Sequence, residues 1–273
     1  TGDEVLVIGP SPQSDDDVVR QAGGTIRHVP WPDQDSSSDA WLGSAISNRT
    51  RAVLLRTPSL TGVSLFDGSA RAVLAKVQAH NSTVISVEGL SDFGWHGYRH
   101  RGFAATADAH RRTVTIGDFS AWGLDGWRVG YLLGPAPLVA PMTNFKQALS
   151  ICSPALGQYA ALAAATGPQT HLDDLRSDLE SRSQAIAGEL ERFGIPIPAV
   201  EAGFHLFLPT NAVRGDPTPD ILSAASVRVA AGDDFRVPGT IRITLSQPPP
   251  VLVEAVRRIA PWLSGTGEGT RRG

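Results

Sequence analysis

Short runs of apolar, largely β-branched residues punctuate the first half of the chain at residues 5–8, 52–55, 83–87 and 113–116, with longer polar-faced segments between them. Runs this short, spaced widely enough for a helix to intervene, predict a mostly parallel, doubly wound sheet over residues 2–133. After the first run, Ser14 followed by Asp15, Asp16 and Asp17 has the character of a helix start, because a hydroxyl can cap free amides and carboxylates suit the positive end of the helix dipole. Gly23 and Gly24 supply the stop. A second helix is expected from about residue 69 to 80, and residues 33–39 read as a polar surface loop.

The pattern then changes period. Thr170-His171-Leu172-Asp173 has capping-box spacing, and Leu172, Leu175, Leu179, Ile186 and Leu190 share one face of a long helix ending at Gly194. Beyond it come short strands near residues 204–208, 227–230 and 240–245 and a last helix over 249–262. The organisation expected is a large α/β domain over 1–168, a connecting helix with a small C-terminal α+β domain over 169–264, and a disordered tail over 265–273, which is rich in Gly, Thr and Arg.

Composition narrows the chemistry. A net charge of -3 gives no basic surplus for nucleic acid, and no apolar run approaches the roughly 20 residues that span a bilayer. The one cysteine, Cys152, cannot form an intramolecular disulfide, which fits a reducing cytoplasm, and it is expected to be a small buried hydrophobe. Of the 24 basic residues only Lys76 and Lys146 are lysines. Arginine stays protonated, so an imine-forming reaction has only those two side chains to draw on. The opening at Thr1, in what reads as a turn before a strand, leads us to expect further sequence upstream.

One segment carries a specific pattern. Trp122-Gly123-Leu124, Gly126-Trp127-Arg128 and Gly130-Tyr131 put eight residues in the register of aromatic-Gly-Leu-x-Gly-Trp-Arg-x-Gly-Tyr. The segment resembles the class I and II aminotransferases of the fold-type I pyridoxal phosphate enzymes, and Thr61-Gly62 and residues 240–245 fall where that family places further landmarks. The resemblance spans nearly the whole chain. It implies the aminotransferase fold with its N-terminal part missing, including a glycine-containing helix start that holds the cofactor phosphate, and it implies a homodimer.

Carried over position by position, the resemblance implies a vestigial cofactor site. Ser120 stands where the family has its Schiff-base lysine, Val87 where an aspartate keeps the pyridine nitrogen protonated, Leu90 where a tyrosine bonds the ring hydroxyl, and Ser59 where an asparagine stands. Gly117 takes the place of a phosphate-binding serine, and neither Ser11 nor Pro12 supplies a ring to stack on the cofactor. Two positions match: Arg128, the family's phosphate arginine, and Arg242, its substrate-carboxylate arginine, each of which also has a plain structural reading as a space-filling, ion-paired side chain. The expectation is therefore no bound cofactor.

Rival constellations are weaker. Neither Asp118-Phe119-Ser120-Ala121-Trp122 nor Gly89-Leu90-Ser91-Asp92-Phe93 completes a Gly-x-Ser-x-Gly nucleophile elbow. His96 and His100 have zinc-helix spacing, but Gly97 interrupts them, so residues 95–101 read as a loop with hydrogen-bonded or solvated histidines. No Gly-x-Gly-x-x-Gly follows the first strand, which argues against a dinucleotide.

Three functions follow as expectations. The first is an aminotransferase-like protein that has lost pyridoxal phosphate chemistry and acts in a biosynthetic pathway on a small carboxylate or amino-acid-like ligand. Its catalytic residues are unnamed, with Glu88, Asp92 and His205 as acid-base guesses. The second is a non-catalytic scaffold or binding subunit pairing with itself or an active homologue. The third is a true aminotransferase using an unrecognised lysine or free pyridoxamine phosphate.

Overall fold

The computed structural model describes residues 2–32, 41–43, 45–196, 199–210 and 216–264. The expected loop at 33–39 and the expected tail at 265–273 lie outside these residues. The chain opens with β1 (Glu4–Ile8), α1 (Gln13–Gln21), β2 (Thr25–Val29), β3 (Thr50–Arg56), α2 (Asp67–Ala79), β4 (Thr83–Val87), β5 (Thr113–Asp118) and β6 (Gly130–Leu133). The six strands form one sheet in the order β2-β1-β3-β4-β5-β6, parallel throughout except for β6, which returns antiparallel to β5. The mostly parallel sheet agrees with the hydrophobic pattern. Leu6, Ile8, Val53, Leu55 and Val84 pack against Val73 and Val77 of α2, and Leu42, Ile46 and Phe103 close the same core.

Three helices follow, α3 (Ala136–Ser150), α4 (Ala155–Thr166) and α5 (Thr170–Arg192). Then come β7 (His205–Pro209), α6 (Thr218–Ala225), β8 (Ala230–Ala231), β9 (Thr240–Thr244) and α7 (Pro249–Ser264). The second sheet, β7-β9-β8, is antiparallel. Its Leu206, Leu208, Ile241 and Ile243 pack with Leu179, Ile186 and Leu190 of α5 and with Leu252, Val256 and Ile259 of α7. Phe93, Trp95 and Ala121, from loops beyond β4 and β5, belong to that second core and tie the two sheets together.

Local expectations are corrected in four places. Ser14 does not cap α1, which starts at Gln13 after the extended Pro12. The neighbouring carboxylates serve distant partners instead: Asp15 pairs with Arg56 and Asp16 with Arg236. Thr170 is the first residue of α5 and makes no side-chain cap. The turn before it is held by Gln169 Nε2, which donates to the carbonyls of Ala164 and Gly167 at 2.8 Å each. The strand expected over 227–230 is only the two-residue β8. Cys152 is exposed, because the joint between α3 and α4 turns outward and carries Ile151 into solvent with it.

Candidate functional site

The parallel strands β3, β4 and β5 all end at one edge of the large sheet, the place where open α/β sheets present their loops to ligands. A cleft of about 430 Å³ opens there. The end of β3 supplies Arg56, Pro58 and Leu60; the end of β4 supplies Val87, Gly89, Leu90 and Phe93; the end of β5 supplies Asp118, Ser120 and Asp125; and the start of β7 covers them with Phe204 and His205.

Each wall is fixed by identifiable bonds. Gly62, at a positive φ of 79°, lets residues 200–202 pass so close that a Cβ would strike Ala202 and Val200, and its carbonyl accepts from the amides of Glu201 and Ala202 at 2.8 and 3.1 Å. Trp95 Nε1 donates to the carbonyl of Gly203 at 2.8 Å, and the Leu245 amide donates to that of Phe204 at 2.9 Å, which seats the start of β7 over the cleft. Arg56 is held by two bonds to Asp15, Nε to Oδ2 at 3.0 Å and Nη2 to Oδ1 at 2.6 Å. On the floor, the Ser120 amide donates to Asp118 Oδ1 at 2.8 Å and its hydroxyl to Asp125 Oδ1 at 3.1 Å.

The residues singled out from sequence divide into three groups. Val87, Leu90 and Ser120 line this cleft together. Ser59 is buried between the lining residues Pro58 and Leu60, but its hydroxyl faces Thr61 Oγ1 at 2.9 Å and accepts from the Val63 amide at 3.2 Å. Arg128, in the left-handed region at φ 54°, is exposed and pairs with Asp125 at 3.4 Å, outside the cleft lining. Arg242 is likewise outside that lining. It borders a groove of about 920 Å³ between the β8–β9 edge and α7, its Cζ lies 4.2 Å over the Phe235 ring, and its Nε is buried without a hydrogen-bond partner among the described residues.

Of the three acid-base guesses, only His205 reaches the cleft. Glu88 is buried behind β4 and saturated, accepting from Ser86 Oγ at 2.7 Å and the Phe103 amide at 3.1 Å, and pairing with His100 Nε2 at 3.0 Å. Asp92 accepts from Trp122 Nε1 at 3.0 Å and meets Arg176. Burial, and secondarily the charge of Arg242, push the His205 imidazole down to about 4. Burial also lowers Arg242, against an opposing pull from Asp234. Arg56, Asp118 and Asp125 were missed in sequence, because their only signal is position at a strand end. The two histidines of the 95–101 loop are hydrogen-bonded as expected, His96 to Glu180 at 2.9 Å and His100 to Glu88.

Residues 1–259 match the profile of the family "Aminotransferase class I and II", and the chain belongs to that family. It is 28% identical over 272 residues to an aspartate aminotransferase of Geobacillus stearothermophilus and 27% identical over 271 residues to that of Bacillus subtilis, covering 94% of this chain and 69% of each relative. Among solved structures it superposes on an N-succinyldiaminopimelate aminotransferase from Mycobacterium tuberculosis with a TM-score of 0.83 and 27% identity, covering 95% of this chain and 71% of that one. The aspartate aminotransferase of Thermus thermophilus with maleate gives a TM-score of 0.86 at 24% identity, covering 96% and 70%, a likeness of fold.

Family membership corrects the expectation of no cofactor. Ser120 and Val87 bear on how a cofactor would be held, not on whether the protein takes one, and the family to which the chain belongs and the aspartate aminotransferases it resembles bring pyridoxal phosphate with them. The residues of this cleft do not fit the lysine-attached form of that group. No lysine is among the lining residues, Lys76 lying on α2 and Lys146 on α3. The apolar Val87 offers a ring nitrogen no acid. A Cβ at Gly117 would run into the Tyr131 ring, so this backbone has no room for a phosphate-binding serine there. Asp118 and Asp125 beside Ser120 would also repel a phosphate rather than hold it.

Among the described residues no helix is long and apolar enough to cross a membrane, and no group of three or more His, Cys, Asp or Glu could hold a metal.

Proposed function

We propose that this aminotransferase-family protein binds a small carboxylate-bearing, amino-acid-like ligand in the Ser120 cleft and does not form the lysine imine on which transamination depends. The observation that carries the reading is Ser120, which lies at the end of β5 among the cleft walls with its hydroxyl committed to Asp125. A serine hydroxyl can neither condense with an aldehyde to an imine nor shuttle the α-proton as a lysine amine does. What this chain's residues can do is bind and orient. Arg242 lies outside the cleft lining but shares a face of the small sheet with His205, which lines it, and is the proposed carboxylate anchor at that margin: the register pairs Arg242 with Phe207 and Thr244 with His205, so Arg242 and His205 are diagonal neighbours. Its stack on Phe235 fixes the guanidinium plane, and the fork suits a carboxylate bidentately.

Titration calorimetry with succinate and L-aspartate tests this. Arg242→Lys keeps the charge but loses the fork, and both ligands are expected to bind about tenfold more weakly. Unchanged affinity would remove Arg242 from the site.

A second reading, a scaffold subunit that pairs with itself or a homologue, is favoured by one observation. Phe145, Leu149, Leu156, Tyr159 and Leu162 on α3 and α4 all point to solvent, and α3 buries no residue. An apolar face of this kind is a pairing surface by its chemistry. Sedimentation equilibrium is expected to show a dimer, and Phe145→Glu with Leu149→Glu to shift it to monomer. A monomeric wild-type protein would sink this reading.

A further inference from the structure

We propose that His205 is the ligand-contacting base of the cleft, its Nε2 accepting a hydrogen bond from the ammonium group of a small carboxylate-bearing amine. The inference rests on the cleft reading above and names the group by which the site would tell an amino acid from a simple carboxylate.

The geometry is that of a side chain held at one end and open at the other. The Trp95 indole bond to the Gly203 carbonyl and the Leu245 amide bond to the Phe204 carbonyl fix the two residues that precede the ring's attachment. The ring itself is pinned through Nδ1, 3.1 Å from Thr244 Oγ1, its directly opposed neighbour on β9, and Phe204 lies against it at a centroid distance of 4.1 Å. With Thr244 accepting from Nδ1–H, Nε2 holds the lone pair. Among the described residues Nε2 has no protein partner, and His205 lines the cleft across which Ser120, Asp118 and Asp125 stand.

The surrounding charges decide what such a nitrogen can meet. Arg242 from β9 and Asp234 from the turn after β8 lie on its own side; Arg56 at the end of β3, already neutralised by Asp15, and Asp118 and Asp125 beyond β5 face it from the large sheet. A protonated ring beside Arg242 would repel an ammonium. An uncharged ring accepts from one, and burial together with Arg242 keeps this ring uncharged at neutral pH. The cleft then offers an amine a neutral acceptor on one wall and carboxylates on the other, with Arg242 on the same sheet face as His205 for the ligand's carboxylate. The step is a hydrogen bond; no covalent bond forms or breaks.

The test compares L-aspartate with succinate, which carries the same two carboxylates without the amine, by titration calorimetry on the whole chain at pH 7.5. His205→Ala is expected to weaken L-aspartate about tenfold and to leave succinate within about twofold, as losing one hydrogen bond to a charged group predicts. His205→Gln, whose amide oxygen can reach the Nε2 position, is expected to restore most of the lost affinity. As a readout independent of the variants' folding, the Nε2 resonance of the wild-type ring in ¹⁵N spectra should move on addition of L-aspartate and stay in place with succinate. Equal losses for the two ligands, no loss for L-aspartate, or an unmoved resonance under saturating L-aspartate would overturn the His205 assignment while leaving the cleft reading intact. Failure of the wild-type protein to bind either ligand would overturn the cleft reading and this inference with it.

Discussion

At the scale of single residues, the cleft is defined by what two side chains cannot do and one can. Ser120 has no amine, Val87 has no acid, and His205 has an imidazole held well below its ordinary 6.5, near 4. That depression has a consequence for stability. As the pH falls through 6.5 the unfolded ring takes up a proton that the folded ring refuses until about 4, so the folded state loses stability across that interval and no more from this group below it. Urea midpoints measured at pH 7 and pH 4.5 should therefore converge in His205→Gln relative to the wild-type protein. A fall of the same size in both would show that the ring is not what makes acid destabilising. Gly117 makes a second prediction. Gly117→Ser places a Cβ against the Tyr131 ring in the β5–β6 pairing, and overpacking of this kind costs about 1–3 kcal/mol, read as a lower thermal midpoint.

At the scale of elements, α5 and α7 carry the second core. Ile186 and Leu190 are fully buried there, so Ile186→Ala is expected to cost about 2–5 kcal/mol in denaturant unfolding. We propose that the chain divides near residue 168 into two folding units, the second holding most of its own core and taking in Phe93, Trp95 and Ala121 from the first. If so, hydrogen exchange in Ile186→Ala accelerates in β7, β9 and α7 and leaves β1, β3 and β4 protected. Uniform acceleration would argue for one cooperative unit.

Much of this level was legible in the sequence. The β-branched runs predicted β1, β3, β4 and β5, since a strand buried on both faces writes itself as a short continuous apolar run. The leucine stripe predicted α5. Capping was misread at Ser14 and Thr170 because both motifs are defined by spacing alone, while tertiary partners decide where the chain enters the helix. Cleft residues that bond across the fold left no local trace: Arg56 meets Asp15 over 41 positions of sequence, and only the sheet order makes them neighbours. Ser120 and Arg128 take their register from the dense motif at 122–131 and Val87 and Leu90 from the strand end at 85–90; Ser120, Val87 and Leu90 line one cleft while Arg128 pairs with Asp125 outside its lining, since register specifies a position but not the direction of a side chain.

At the scale of the whole molecule, the family relationship and the cleft pull in different directions. The matched profile and the resemblance to aspartate aminotransferases place this chain in a pyridoxal phosphate family, while its own cleft residues do not fit lysine attachment. The disagreement is decided by asking where a lysine imine can form. Pyridoxal phosphate is added to the wild-type chain and to Ser120→Lys, the mixtures are reduced with borohydride, and the proteins are digested and mapped by mass spectrometry. The account predicts a reduced adduct at position 120 of Ser120→Lys and no stoichiometric adduct in the wild-type protein. A stoichiometric adduct on Lys76 or Lys146 of the wild-type chain would contradict it and make the protein an aminotransferase with its lysine in another place.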